Sequence, residues 1–370
     1  MKKLILAVIA LMAAAMAAKG ADDTPWKYVD AQDLRIINKG FDDSPRLFSR
    51  LPAYLKDSVR PDLWSRAECS SGMAVHFATD SRRIGVRCQL LWNFHMNHMA
   101  DAGIKGTDLY ILDGDRWMHV NSARPNVKDA DGRKMTESTY VSNLDGEMHQ
   151  FMVYLPLYDG VEDLQIKVDS TATIVPGDVS LMPSTGRIVA YGTSIMQGGC
   201  ASRTGMTSSN IISRELGRQV INLGFSGEGK QDPAVARAIN RIPGVDLYLL
   251  DPVPNNTEKM CDTLTYDFVK IIADANPGKP IVMVAGLLYP YAKYDSYFNK
   301  YLPAKNDAYR RNFQRLRDEG YNVYFIEPEG MTGAEDEGTV DGVHLTDLGF
   351  VKYCELVLPV LRRILDEQPK

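Results

Sequence analysis

The sequence predicts an α/β fold, a parallel sheet with helices on both faces, preceded by a β-sandwich domain of jelly-roll-like type. Three observations predict it. Apolar residues between about 25 and 180 recur mostly with period two, the signature of strands with one buried face. After residue 186 the pattern changes to apolar strand, Gly-bearing loop and helix, repeated, which argues for parallel strands covered on both sides. Between the two lies VPGDVSLMPSTGR, residues 175–187, where Pro, Gly and Ser cluster at a predicted boundary.

The first 21 residues, two lysines followed by an apolar run ending in alanines before Asp22 and Asp23, predict an export signal peptide. The run is shorter than the roughly 20 unbroken apolar residues a membrane span needs. No cysteine follows the small residues, so a lipid-modified lipoprotein is disfavoured. The mature chain is expected outside the cytoplasm, periplasmic or extracellular, with no membrane span. The sandwich domain is assigned to 22–180 and the α/β domain to 186–370.

In the first domain, MAVHFATDSRRIGVRCQLLW (73–92), TDLYILDGDRWMHV (107–120), HQFMVYLPLY (149–158) and LQIKVDSTATI (164–174) alternate or run apolar between turn signals. In the second, the predicted strands are RIVAY, VINL, DLYLL, PIVMVAG and NVYFI. Predicted helices cover 207–218, 233–241, 257–274, 303–319 and 346–366. The net charge of −5 and 24% charged residues give no general attraction to nucleic acid or an anionic membrane. A small, polar or neutral partner is expected instead. Five cysteines, Cys69, Cys88, Cys200, Cys261 and Cys354, leave at least one unpaired in a monomer. Cys69 and Cys88 could pair across neighbouring strands, and none of the five has metal-site spacing.

Ligands of open parallel α/β sheets sit beyond the carboxyl ends of the strands. The loops there are GTSIMQGG with Ser194, GFSGEGK with Ser226 and Gly227, DPVPNN with Asn255 and Asn256, and a last one carrying Asp341 and His344. Of six histidines, His76, His95, His98, His119 and His149 fall in the β-rich part, so His344 is the one imidazole available within the α/β part. Asp341, three residues before it, is placed to hold one ring nitrogen while the other faces a neighbouring loop. A serine hydroxyl needs such a base, and an unperturbed imidazole titrates near pH 6.5.

These blocks resemble the SGNH or GDSL-type hydrolase superfamily over residues 187–366. GTSI stands where that family has its nucleophile block, NLGFSG and DPVPN where it has its oxyanion glycine and asparagine, and DGVH where it has D-x-x-H. GTDLY (106–110) and LPLYDGV (155–161) resemble the β-rich N-terminal domain fused to such hydrolases in Bacteroidetes proteins. The resemblance implies a flavodoxin-like three-layer domain and a serine esterase removing short acyl groups, acetyl by default, from carbohydrates, with a small-molecule or glycan ester as its partner. It implies Ser194, Asp341 and His344 as catalytic residues, and Ser194, Gly227 and Asn255 as oxyanion-hole donors, with no cofactor and no metal. Thr193 replaces the usual aspartate, and the third block lacks G-x-N-D, which makes Asn256 the reserve for Asn255.

The alternatives are a non-catalytic carbohydrate-binding protein and an acyltransferase using the same serine. GFSGEGK lacks P-loop spacing, and GTSIMQGG does not satisfy G-x-S-x-G. His95 and His98 lack a nearby third ligand in sequence, so they are read as partly exposed residues near the substrate cleft rather than metal ligands. Trp117 and GTDLY offer a carbohydrate platform or ordinary packing.

Overall fold

The computed structural model describes residues 24–181 and 186–367. The segment 1–21, read as a signal peptide, lies outside them. Five parallel strands form the C-terminal sheet: β1 (Arg187–Gly192), β2 (Gln219–Gly224), β3 (Val245–Asp251), β4 (Ile281–Val284) and β5 (Val323–Ile326). Their spatial order is 2-1-3-4-5, the doubly wound order with its topological switch between β1 and β3. Helices α1 (Ser194–Gln197), α2 (Ser208–Leu216), α3 (Pro233–Ile239), α4 (Glu258–Ala275), α5 (Phe298–Asp318) and α6 (Asp347–Asp366) complete this part.

The alternation of side chains along a strand sorts the core into two layers. Val189 and Tyr191 of β1 pack with α3, α4 and α5 through Val235, Phe268 and Tyr309. Ile188 and Ala190 face the other side, toward Ile212 of α2 and Phe350, Tyr353 and Val357 of α6. From Ile188 to Gly192 every β1 residue is therefore buried, which is why the strand reads as a continuous apolar run rather than an alternating one. Helix α5 begins at Phe298, five residues before the predicted start, and carries Pro303 inside it. Proline favours the first helical position, so the sequence pattern pointed there. The preceding turn instead runs on from Tyr297, whose carbonyl accepts the Tyr301 amide at 2.9 Å.

The N-terminal part consists of two antiparallel sheets. One has the order Trp26–Asp30, Val161–Asp169, Ile84–Leu90, Arg133–Val141, Lys128–Ala130. The other runs Ile174–Pro176, Ala74–Thr79, His149–Tyr154, Thr107–Asp113, Arg116–Ala123, with Arg35–Ile37 beside Ala74–Thr79. Val86, Ile166 and Val168 from the first meet Val75, Phe77 and Phe151 from the second in one core. The opposite face of the second sheet carries Tyr110, Met152 and Tyr154. Tyr154 donates to the Asn210 carbonyl of α2 at 3.4 Å. Cys69 and Cys88 remain free buried thiols, as do the other three cysteines, so the cross-strand disulfide does not form.

Segments connecting the strands of the N-terminal part pack directly on the parallel sheet. Phe41, Leu51, Leu63 and Trp64 join the α3–α5 core, and Met99, Ile104, Leu157 and Tyr158 join the α2–α6 core. Asp108 and Tyr110, the D and Y of GTDLY, both take hydrogen bonds from Arg203 Nη1 at 2.8 Å. Asp108 also accepts the Gly205 amide at 2.7 Å. The motif is thus a clamp on the loop after α1 and not a ligand platform. Trp117 packs edge-on against His76. No helix among the described residues is long and apolar enough to cross a membrane.

Candidate active site

The register of the parallel strands brings three loops to one level. Gly192 lies opposite Gly224 of β2 and opposite Asp251 of β3. The chain therefore leaves all three strands at the same end of the sheet, at the topological switch. Thr193 caps α1, its hydroxyl accepting the Ile195 amide at 3.4 Å, and Ser194 is the first residue of that helix.

Ser194 Oγ lies 2.9 Å from His344 Nε2, although 150 residues separate them in sequence. His344 Nδ1 lies 2.7 Å from Asp341 Oδ2. The other carboxylate oxygen accepts the His344 amide at 2.8 Å and the Val343 amide at 3.0 Å. Burial alone would push the Asp341 carboxyl up, but these hydrogen bonds from His344 and Val343 outweigh it and bring it down to about 2. An ionised Asp341 only accepts, so Nδ1 carries the proton and Nε2 is left to accept from the Ser194 hydroxyl. The His344 loop is braced by a Thr339–Leu345 bridge and by the Val340 amide donating to the His344 carbonyl at 2.8 Å.

Three donors at the site have no protein acceptor among the described residues: the Ser194 amide, the Gly227 amide and the Asn255 Nδ2 group. The Ser194 amide is free because the first amides of a helix lack an intrahelical partner. Gly227 has φ +75°, a conformation that disfavours a side chain, and its α-carbon faces open space. Asn255 is oriented by its Oδ1, which accepts the Gly229 amide at 3.2 Å. Asn256, the reserve candidate, is buried and spent on structure. It donates to the Gly229 and Pro252 carbonyls at 2.8 and 2.6 Å and accepts from Gln231 Nε2 at 3.2 Å.

Several supporting residues escaped the sequence reading. Gln197 is fully buried and ties the loops together, donating to the Leu157 carbonyl at 3.0 Å and accepting the Ser226 amide at 2.8 Å. The Tyr158 hydroxyl of LPLYDGV donates to the Ser194 carbonyl at 3.4 Å. A side chain at Gly199 would meet Tyr158 Oη at 2.8 Å and His344 Cδ2 at 3.2 Å, so the second glycine of the GG pair makes room for the imidazole. Arg50 reaches from the N-terminal part to the Gly224 carbonyl at 2.7 Å and the Cys69 carbonyl at 2.8 Å. Its burial brings the guanidinium down to about 10. A lone glutamine, tyrosine or arginine carries no spacing signal, so only tertiary contacts reveal these roles.

His95 and His98 part company. His95 is exposed and lies 3.0 Å from Asp101, whereas the His98 ring packs 5.6 Å from the His344 ring, centroid to centroid.

Comparison with known proteins agrees with this arrangement. Residues 185–362 match the GDSL-like Lipase/Acylhydrolase family, and residues 26–174 match the family described as the N-terminus of Esterase_SGNH_hydro-type. A solved structure designated a GDSL-like lipase, from Bacteroides ovatus ATCC 8483, is 32% identical with TM-score 0.86, over 94% of this chain and 100% of that one. The salicylyl-acyltransferase SsfX3 of a tetracycline biosynthetic pathway shares the fold at 19% identity and TM-score 0.72, over 92% and 97% of the two chains. A family two carbohydrate esterase from Cellvibrio japonicus does so at 14% identity and TM-score 0.54, over 93% and 99%. Among curated proteins none matches the chain. From the parallel sheet with its serine after β1 to the whole-chain likeness, the chain belongs to the GDSL-like lipase/acylhydrolase family of SGNH-type serine ester hydrolases.

Proposed function

We propose that this serine ester hydrolase is an exported enzyme that removes short acyl groups, acetyl by default, from carbohydrates, with Ser194 as nucleophile, His344 as base and Asp341 as its orienting carboxylate. The observation that carries the assignment of residues is the unbroken hydrogen-bonded series Ser194 Oγ, His344 Nε2, His344 Nδ1, Asp341 Oδ2, at 2.9 and 2.7 Å. His344 Nε2 takes the hydroxyl proton as Ser194 Oγ bonds to the ester carbon. The carbonyl oxygen becomes an oxyanion, for which the Ser194 and Gly227 amides and Asn255 Nδ2 are the unspent donors. Collapse of the tetrahedral intermediate breaks the bond to the alcohol, which leaves with the proton from His344. A water deprotonated by His344 then attacks the acyl-serine, releasing the acid and restoring the hydroxyl.

Carbohydrate esterases with this fold support the sugar ester as substrate. The acyltransferase of the same fold favours a second reading, in which an acceptor alcohol replaces water in the second step. We also propose the division into a β-sandwich domain at 22–180 and a hydrolase domain at 186–370, the former bracing the site through Arg50 and Tyr158.

Release of p-nitrophenol from p-nitrophenyl acetate by wild type and Ser194→Ala tests the assignment, and equal rates would reject it. Acid release from acetylated glycans, set against longer acyl esters, tests the substrate; a preference for long chains removes the deacetylase reading. Sequencing the amino terminus of the mature protein tests export and cleavage after the first 21 residues.

A further inference from the structure

We propose that His98, Cys200 and His344 form a binding site for a soft divalent cation of the zinc type, and that filling it switches the esterase off. Ligand atoms of the three side chains lie within 4.8 Å of one another, and they come from three separate loops. Two imidazoles and one thiol are a zinc donor set. A tetrahedral zinc ion, with bonds of about 2.0–2.3 Å, holds its ligands roughly 3.3–3.6 Å apart, so the three need close by at most about 1 Å.

The surroundings suit coordination at specific atoms. Metal-binding histidines commonly spend their second ring nitrogen on a carboxylate or amide oxygen, which fixes the ring and its tautomer. His344 does so through Asp341 Oδ2 at 2.7 Å, and His98 does so through Asn97 Oδ1 at 2.9 Å. Each ring thus has Nε2 to offer a cation, that of His344 in exchange for its contact with Ser194 Oγ at 2.9 Å. Cys200 is a free thiol held at φ +72°, in the left-handed region that a non-glycine residue rarely adopts. Its amide donates to the Met99 sulfur at 3.4 Å, which ties the Cys200 loop to the residue next to His98.

Binding is written M²⁺ + Cys200–SH → Cys200–S–M⁺ + H⁺, with the neutral imidazoles each giving a lone pair through Nε2. The lone pair taken from His344 is the one that accepts the Ser194 proton. A filled site therefore leaves the serine without a base. The cation is an inhibitor and not a cofactor.

The activity part of the test rests on the esterase reading, whereas the binding part does not. Chelator-treated protein is titrated with Cd²⁺, read by the ultraviolet thiolate-to-cadmium charge-transfer band, and with Zn²⁺ by calorimetry. The expected result is one cation per chain with a thiolate band in wild type and in Ser194→Ala. The band is absent in Cys200→Ala, and affinity falls at least about tenfold in His98→Ala. Hydrolysis of p-nitrophenyl acetate by wild type declines over the same Zn²⁺ range and recovers with chelator. Cys200→Ala, measured against its own metal-free rate, needs at least about tenfold more Zn²⁺ for the same fractional inhibition. A missing band in wild type, or an undiminished one in Cys200→Ala, overturns the proposal, as does equal zinc sensitivity of the two proteins. Absence of hydrolysis by metal-free wild type would overturn the esterase reading instead, with the binding result still deciding the cation site.

Discussion

Asp341 grips His344 twice: Oδ2 meets the ring at Nδ1, 2.7 Å away, and Oδ1 accepts the backbone amide of the same residue at 2.8 Å. The carboxylate therefore sets both the position and the tautomer of the imidazole. In Asp341→Asn the amide can present N–H toward Nδ1 and stabilise the wrong tautomer. The expected loss in kcat is about 10⁴-fold. Because the folded-state carboxyl is depressed to about 2, its stabilising contribution is present above about pH 4 and is lost as pH falls toward 2. Acid-unfolding curves of the two proteins check this: the wild type loses more stability than Asp341→Asn across that window.

Ser194→Ala removes the proposed nucleophile and leaves the packing of α1 intact, since Thr193 still caps the helix. Ester hydrolysis is expected to fall by about 10⁴-fold or more. The Tm should stay within a few degrees, and circular dichroism should be unchanged.

Two adjacent asparagines should respond in opposite ways. Asn255→Ala removes a free donor and is expected to lower kcat by about 10²–10³-fold with little effect on Tm. Asn256→Ala leaves the buried Gly229 and Pro252 carbonyls without their donor and should destabilise the fold by about 1–3 kcal/mol. Steady-state kinetics and thermal melts on the pair decide between these assignments; a swap of the two phenotypes would transfer the oxyanion role to Asn256.

At the end of β3, Asp251 is buried and, among the described residues, has a single side-chain hydrogen bond, from the Tyr353 hydroxyl at 3.2 Å. Burial pushes its carboxyl up to about 7. The folded protein thus holds this proton in a range where the unfolded chain, with a pKa of about 3.9, has released it. Its stabilising contribution is full below about pH 4 and is lost as pH rises through about 7. Asp251→Asn should accordingly show a smaller drop in Tm between pH 5 and pH 8 than wild type. An identical drop in both proteins would show that Asp251 does not titrate in this range.

Arg203 and the fully buried Asp108 join the two parts of the chain. Removing the arginine strands a buried carboxylate, so Arg203→Ala should destabilise by about 3–5 kcal/mol. Urea unfolding measures the change, and a shift below about 1 kcal/mol would show that the clamp is replaceable.

The parallel strands and most helix positions were legible because burial on both faces leaves long apolar runs such as RIVAY and DLYLL. Helix α5 was misplaced at its start because Pro303 mimics a helix beginning. The pairing of His344 with Asp341 was also legible, since three residues of turn set its reach, and His344 was the one histidine available in that part.

By itself, then, the sequence determined the order of elements, the two kinds of sheet and the residue types able to activate a serine. Only the tertiary structure decided which asparagine was left with a free amide, and that Arg50, Tyr158 and Gln197 brace the site. It also decided that His98 and Cys200 meet His344. The reason is physical: strand and helix patterns come from local periodic burial, whereas contacts between distant loops depend on the register of β1 against β2 and β3 and on how the N-terminal sheets dock.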